Sequence, residues 1–408
     1  MYKRTIKPYI EKALSRSPVV LINGARQVGK TTIALELLKE KSYTYITFDD
    51  ELAYLSAKEN PSGFIKNIQK PVILDEVQRI PEIFLAIKRD VDTNRIPGRY
   101  LLTGSANPLL IPRLGDSLAG RMEVIDVMPL SQGELKGHEE KFIDTIFSDE
   151  ELKTPKTESK EDIYKRILVG GYPLVQQVDE ETREAWMRSY LNLILQRDIK
   201  DLAQIEKITE IPNLLRLLAA RAGGLLNVAQ LSRESNMVNK TLHRYLALLE
   251  TIFLISLQLP WHSNLTLRFI KSPKLYLVDS GLLTYLIDMN LERALKDSPH
   301  MGRIIENFVV SELQKQRTWS KTKVQIYHFR TTDGIEVDCI LENKAGELVG
   351  IEIKKSERVT PQDFKGLRYL QEKTSGKFKK GIIFYLGSNI VPFGDNVFAV
   401  PMHTLWSI

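Results

Sequence analysis

The sequence predicts an α/β chain in three parts: a parallel sheet covered by helices, a helical region, and a second α/β unit. Three observations lead there. Short apolar runs alternate with helical patterns as far as MEVIDVMPLS; helical spacing dominates the middle; strand-like runs return after GRIIENFVVSELQKQ. Strands alternating with helices imply a parallel sheet with crossovers on both faces.

At 408 residues the chain exceeds one ordinary domain, and it divides into 1–137, a linker 138–160, then 161–301 and 302–408. Its composition, 43% hydrophobic and 26% charged, is that of a globular protein. No run approaches the roughly 18 apolar residues of a membrane span; the strongest, LALLETIFLISL, carries Glu250. The basic start, MYKRTIKPYIEKAL, has no apolar core of a secretory signal. A single cysteine, Cys339, excludes an intrachain disulfide or a multi-cysteine metal site and fits a reducing cytoplasm. Lys and Arg number 57 against 51 acids, a net charge of +6 that admits a nucleic-acid partner without requiring one.

The first strand, VVLI, leads into NGARQVGKTT and the helical TTIALELLKE. Gly24, Gly29, Lys30 and Thr31 fit G-x-x-x-x-G-K-[ST], in a setting where loop amides and a helix N-terminus face phosphates. Gly24, Ala25, Arg26, Gln27, Val28, Gly29, Lys30, Thr31 and Thr32 form the expected ATP loop. Lys30 would reach the β and γ phosphates, and the Thr31 hydroxyl would hold magnesium. An ordinary strand-turn-helix is the plain alternative.

The next elements weigh against it. YTYITFDD alternates as a strand, and ELAYLSAKENPSGFIKNIQ is helical with a break near Pro61. PVILDEVQR then places two acids at a strand end. Asp75 suits the magnesium shell and Glu76 suits orienting and deprotonating a water. EIFLAIKRDVDTNR reads as helix, RYLLTGSA and MEVIDVMPLS as strands. Ser105 is the expected γ-phosphate sensor, with Asn107 in reserve; a turn cap competes for either. In IPRLGDSLAGRMEV, Arg121 is preferred to Arg113 as an arginine finger, supplied in cis or by a neighbouring subunit, with a surface salt bridge as the alternative. One extra strand between the loop and the acidic pair resembles the additional-strand (ASCE) P-loop NTPases, including AAA+ proteins.

KGHEEKFIDTIFSDEELKTPKTESKE is charged and weakly periodic, and predicts a surface linker. REAWMRSYLNLILQRDIKDLAQI is helical. VAQLSRES, the turn NMVN and KTLHRYLALLET, capped by Asn239, suggest helix-turn-helix; ISLQLP and LTLRFI suggest a β-wing. Lys240, His243 and Arg244 on the second helix would face a DNA groove. With few cations on that helix, a winged helix used for packing or protein contact is the alternative.

GRIIENFVVSELQKQ carries Glu306 on an amphipathic helix, and VQIYHFRT, IEVDCILEN and ELVGIEIKKS follow as strands. Alternation puts Glu336 with Asp338, and Glu352 with Lys354, on common faces. Asp338, Glu352 and Lys354 match the PD-(D/E)xK nuclease pattern, in which carboxylates hold a hard divalent cation and lysine supports the nucleophile or transition state. Glu306 would complete this second metal site. The helix PQDFKGLRYLQEK and strand KKGIIFYLG finish a restriction-endonuclease-like order, which can persist without cleavage.

GARQVGKTT, VILDEVQR, LLTGSAN and SLAGRM, then GGYP, the RDI after the long helix, and GIEVDCIL with GIEIKKS, resemble a prokaryotic family of AAA+ ATPases with an AAA_14 N-terminal module and a DUF4143 C-terminal region. The resemblance spans nearly the whole chain. It implies ATP and Mg2+ as cofactors and hydrolysis to ADP and phosphate in the cytoplasm, and leaves the substrate undefined. Two functions compete: an ATPase coupled to DNA binding or processing, with self-association allowed, and an ATP-gated switch for a protein partner whose nuclease-like region is inactive. A small-molecule kinase is disfavoured by Glu76 directly after Asp75.

Overall fold

The structure is a computed structural model describing residues 2–40, 42–106, 118–199, 208–296, 299–374 and 376–408. Asn107 and Arg113 lie outside the described residues.

The first part opens with α1 (Lys7–Leu14), β1 (Val19–Asn23), α2 (Lys30–Glu40) and β2 (Thr44–Thr47). It continues with α3 (Glu51–Glu59), α4 (Pro61–Asn67), β3 (Val72–Asp75), α5 (Ile83–Thr93), β4 (Tyr100–Gly104) and β5 (Met122–Asp126). The five strands are parallel in the order β2-β3-β4-β1-β5. β1 is buried along its length because both sheet faces are covered: Val20 and Ile22 pack towards Ile10, Ile33 and Leu37, whereas Val19 and Leu21 pack towards Ile83, Phe84 and Ile87. That explains an apolar run without alternation. β2, at the edge, is half-buried throughout. Pro61 begins a new helix rather than kinking one, since Asn60 ends α3 and caps α4 by accepting from Gly63 N at 2.9 Å.

The expected linker is built differently. After α6 (Gln132–Lys136) it contains α7 (Phe142–Phe147), which buries Phe142, Ile143 and Ile146. The Phe142 ring lies 5.2 Å from that of Phe384, and Lys141 N donates to the Ile408 carbonyl at 2.7 Å. This stretch is packed on the C-terminal unit; its charged flanks hide a short apolar face.

The middle part comprises α8 (Lys160–Val169), α9 (Glu180–Leu193), α10 (Ile211–Ala219), α11 (Val228–Ser235) and α12 (Asn239–Thr251). The two short-turn helices occur as expected, with two corrections. Asn239 is not a cap: Val238 holds the cap position of α12, and Asn227 caps α11. β6 (Ile255–Gln258) pairs antiparallel not with LTLRFI, which is α13 (Leu265–Ile270), but with β7 (Lys274–Leu277). A six-residue apolar run fits either state; here Asn264 caps the helix and the buried Arg268 pairs with Glu342. α14 (Ser280–Leu286) and α15 (Leu291–Leu295) follow.

The last part is α16 (Met301–Trp319), β8 (Val324–Arg330), β9 (Glu336–Asn343), β10 (Leu348–Ile353), α17 (Lys365–Lys373), β11 (Phe378–Tyr385), β12 (Val391–Pro392) and β13 (Val397–Pro401). The sheet runs β12-β13-β11-β10-β9-β8. β8, β9 and β10 are antiparallel, and β10, β11 and β13 parallel, so the anticipated helix, three strands, helix and strand appear in that order. Among the described residues, no helix is long and apolar enough to cross a membrane.

Candidate functional site

The loop after β1 turns sharply at Gly24, where a Cβ would lie 2.1 Å from the Val127 carbonyl oxygen. Only glycine allows that approach, and Gly29 has φ +97°, a conformation that disfavours a side chain. Ala25, Val28 and Lys30 are buried, Arg26, Gly29 and Thr31 half-buried, and Gln27 and Thr32 exposed. The Lys30 ammonium curls into the loop and donates to the carbonyls of Gly24 at 2.9 Å and Ala25 at 2.7 Å.

β4 lies between β1 and β3, yet the two strand ends meet. Thr31 Oγ1 is 3.2 Å from Asp75 Oδ2 and 3.3 Å from Oδ1. Tyr45 Oη donates to Asp75 Oδ2 at 2.7 Å; burial first, then this contact, pushes the phenol's pKa up. Thr103 Oγ1 donates to Asp75 Oδ1 and accepts from Glu76 N at 3.2 Å. Asp75 is thereby held by three hydroxyls, and Glu76 follows in a left-handed backbone conformation, φ +61°. Its carboxylate accepts from Gln78 Nε2 and lies 3.4 Å from Ser105 Oγ; Gln78 Nε2 also reaches Ser105 Oγ at 2.8 Å. Ser105 therefore sits beside Glu76, in direct contact with it and also bridged to it by Gln78. Sequence reasoning missed Tyr45, Gln78 and Thr103: Thr103 is an inward residue on an apolar strand, and a turn leaves the direction of Gln78 open.

Arg121 stands elsewhere. It immediately precedes β5, whose residue Met122 is level with Val19 and Asp126 with Asn23, so roughly 13 Å of strand separates it from the loop end. It pairs with Asp92 and donates to the Ala119 carbonyl at 3.1 Å. Arg121 therefore lies away from the loop of its own chain.

A different arginine grips the loop. Arg4, buried ahead of α1, donates from Nη1 to the Val28 carbonyl at 2.6 Å, from Nη2 to the Met128 carbonyl at 2.7 Å and from Nε to Glu134 at 3.2 Å. Glu134 belongs to the capping box of α6 with Ser131, and Gln132 N of the same turn donates to Glu312 of α16 at 2.9 Å. Lys315 joins Glu312 at 2.6 Å to the Leu130 carbonyl at 3.0 Å. Buried charges thus run from the loop to the C-terminal unit. Nothing in the spacing of Arg4 distinguishes it from the other cations of a basic N-terminus.

Lys240, His243 and Arg244 are exposed together on α12, at positions of one helical face. In the C-terminal unit Glu306, Glu336, Asp338 and Glu352 gather around a cavity of about 340 Å3. Its centre is held by a lysine from β7: Lys274 Nζ lies 2.9 Å from Glu306, 2.7 Å from Glu336 and 3.4 Å from Asp338. Burial lowers the Lys274 pKa, but these three carboxylates outweigh it and shift it up. Burial and then Asp338 push Glu306 up to about 7 and Glu352 up to about 8. Lys354 pairs with Glu352 at 2.8 Å, as the spacing anticipated. Among the described residues, no three His, Cys, Asp or Glu side chains stand in a metal-holding arrangement. Of the expected metal set, Glu306 and Asp338 meet at the Lys274 ammonium, while Glu352 lines the same cavity and pairs with Lys354.

A family model described as an AAA domain, AAA_14, matches residues 16–136. Two further models, each a domain of unknown function, match 160–293 (DUF8612) and 301–405 (DUF4143). The uncharacterized protein Rv2008c of Mycobacterium tuberculosis is 30% identical over 98% of this chain and 83% of its own length. The uncharacterized protein MJ1544 of Methanocaldococcus jannaschii is 26% identical over 85% and 77%. Among solved structures, the Walker-type ATPase paby2304 of Pyrococcus abyssi is similar at 17% identity and TM-score 0.42, covering 70% of this chain and 96% of that one. The RuvB Holliday junction branch migration motor of Thermotoga maritima is similar at 18% identity and TM-score 0.31, covering 62% and 89%. With the glycine-rich loop and acidic strand end on a five-stranded parallel sheet, and with matches at both ends of the chain, this protein belongs to the family that joins an AAA_14 AAA-type ATPase domain to a C-terminal DUF4143 region.

Proposed function

We propose that the chain is a magnesium-dependent ATPase whose nucleotide state is relayed to DNA-binding helices. The observation that carries the ATPase reading is the meeting of Thr31 with Asp75, beside Glu76, at the mouth of a glycine-rich loop. The residues fit Mg2+ and ATP: a hydroxyl and a carboxylate suit a hard cation, and backbone amides of residues 24–32 at the start of α2 suit phosphates. Bound Mg2+ would supply neutralisation of phosphate charge. Thr31 and Asp75 would hold it, Lys30 would release the Gly24 and Ala25 carbonyls for phosphate oxygens, and Glu76, positioned by Gln78 and Ser105, would orient and deprotonate water. Arg121 serves as a finger in trans if the chain forms a homo-oligomer.

The relay reading is supported by Arg4 and by the buried contacts of α16 with the segment after β5. DNA is the partner suggested by Lys240, His243 and Arg244 on the second helix of a helix-turn-helix followed by a β6–β7 wing, the winged-helix order. ATP hydrolysis measured with and without double-stranded DNA tests the whole reading: stimulation by DNA is expected, and a chain that neither hydrolyses ATP nor responds to DNA would end it.

A second reading, an ATP-gated switch for a protein partner, is favoured by α13, where Leu265, Phe269 and Ile270 are 64%, 76% and 71% exposed. An absence of DNA binding even at low salt would select it.

A further inference from the structure

We infer that Lys274 is the resident cation of the C-terminal carboxylate pocket, closing it to divalent metal and latching the β6–β7 hairpin to β9. The inference stands whether or not the first part hydrolyses ATP. Asp338, Glu352 and Lys354 match the pattern of metal-dependent nucleases, but their surroundings do not fit a metal. Lys274 has three ammonium hydrogens and three carboxylate partners, Glu306, Glu336 and Asp338, each from a different position around the cavity. Asp338 Oδ2 accepts from Ile353 N at 2.9 Å, Glu352 Oε1 from Lys354 at 2.8 Å, and the Glu306 Oε1 that meets Lys274 also accepts from Tyr276 Oη at 2.7 Å, which leaves Glu352 Oε2 as the buried oxygen without a donor among the described residues.

Lys274 is not a surface side chain that happened to fold inward. It is 2% exposed, its backbone pairs with Gln258 on one side and Leu225 on the other, and Leu226 N donates to the Pro273 carbonyl at 2.8 Å. Tyr276, two residues along the same strand face, points at the same Glu306. Strand β7 therefore delivers an ammonium and a phenol into the cluster as a unit. Arg303 and Arg330 also line the cavity. A divalent ion entering here would face a buried ammonium at contact range with little water to screen it, a repulsion the available carboxylates are already engaged in offsetting. Metal can enter only when Lys274 leaves, which requires the hairpin to separate from β9. A closed hairpin and a closed pocket are one state.

Titration of the full, nucleotide-free chain with Mn2+, with bound ion counted by electron paramagnetic resonance, tests this. Wild type and Asp338→Asn are expected to bind the same amount of Mn2+. Lys274→Met, which keeps the side-chain length without the charge, is expected to gain one equivalent, and Lys274→Met with Asp338→Asn to lose it. An equivalent bound by wild type and abolished by Asp338→Asn would overturn the inference. So would a folded Lys274→Met that gains none. The wild-type and Asp338→Asn comparison decides by itself if Lys274→Met fails to fold.

Discussion

The Thr31 hydroxyl lies 3.2 Å from the Asp75 carboxylate, joining the loop after β1 to the end of β3 although β4 runs between those strands. A hydroxyl and a carboxylate are donors of the kind that suit one hard cation. Asp75→Asn is expected to lower magnesium-dependent ATP hydrolysis on the order of a hundredfold. Phosphate release across a magnesium series measures it; a rate within a factor of about two of wild type would remove Asp75 from the site.

Glu76 and Gln78 separate chemistry from positioning. Glu76→Gln is expected to retain nucleotide binding while hydrolysis falls by roughly 10²–10⁴. Gln78→Ala removes the bridge between Glu76 and Ser105, and kcat should fall about tenfold with KM unchanged. A change confined to KM would assign Gln78 to binding instead.

Arg4 joins the Val28 and Met128 carbonyls and Glu134 in a buried setting. Arg4→Ala leaves Glu134 as an uncompensated buried carboxylate and should destabilise the fold by about 3 kcal/mol. Urea denaturation reads this directly. An unchanged midpoint and slope would show that the contacts contribute nothing net.

Glu140 offers a pH test. Burial, then the nearby Glu312, pushes it up to about 8, against the hydrogen bonds from Ser131 and Gly133. Unfolded, the carboxyl titrates near its ordinary 4.5. Between those values the folded chain keeps a proton that the unfolded chain has released, so this group's contribution to stability falls as pH rises from about 4.5 to about 8 and then levels. Thermal melts from pH 5 to 8 should show a shallower decline for Glu140→Gln than for wild type; parallel declines would place the titration elsewhere.

On α12, Lys240→Ala with Arg244→Ala should weaken double-stranded DNA binding and reduce the slope of log affinity against log salt by roughly one for each lost phosphate contact. An unchanged slope would take the helix out of the DNA interface.

The glycine-rich loop was legible because its residue types follow one another along the chain: two glycines for backbone freedom, then Lys30 and Thr31 at the first turn of α2. The same holds for Asp75 and Glu76 at a strand end, and for the faces shared by Glu336 with Asp338 and by Glu352 with Lys354. Short segments were less legible. LTLRFI fits a strand or a helix by pattern, and Asn264 with the Arg268–Glu342 pair selected the helix. The apolar face of α7 was hidden by its charged neighbours.

By itself, then, the sequence determined most of the order of the elements, the five strands of the first sheet and the residues that could hold phosphate and magnesium, because those depend on local conformation and period. Only the tertiary structure decided which distant groups complete or close a site. Arg4 reaches the loop across 24 residues of chain, Gln78 reaches Ser105 across 27, and Lys274 reaches Asp338 across 64. Such contacts follow from how separate elements pack, and no spacing within one element encodes them.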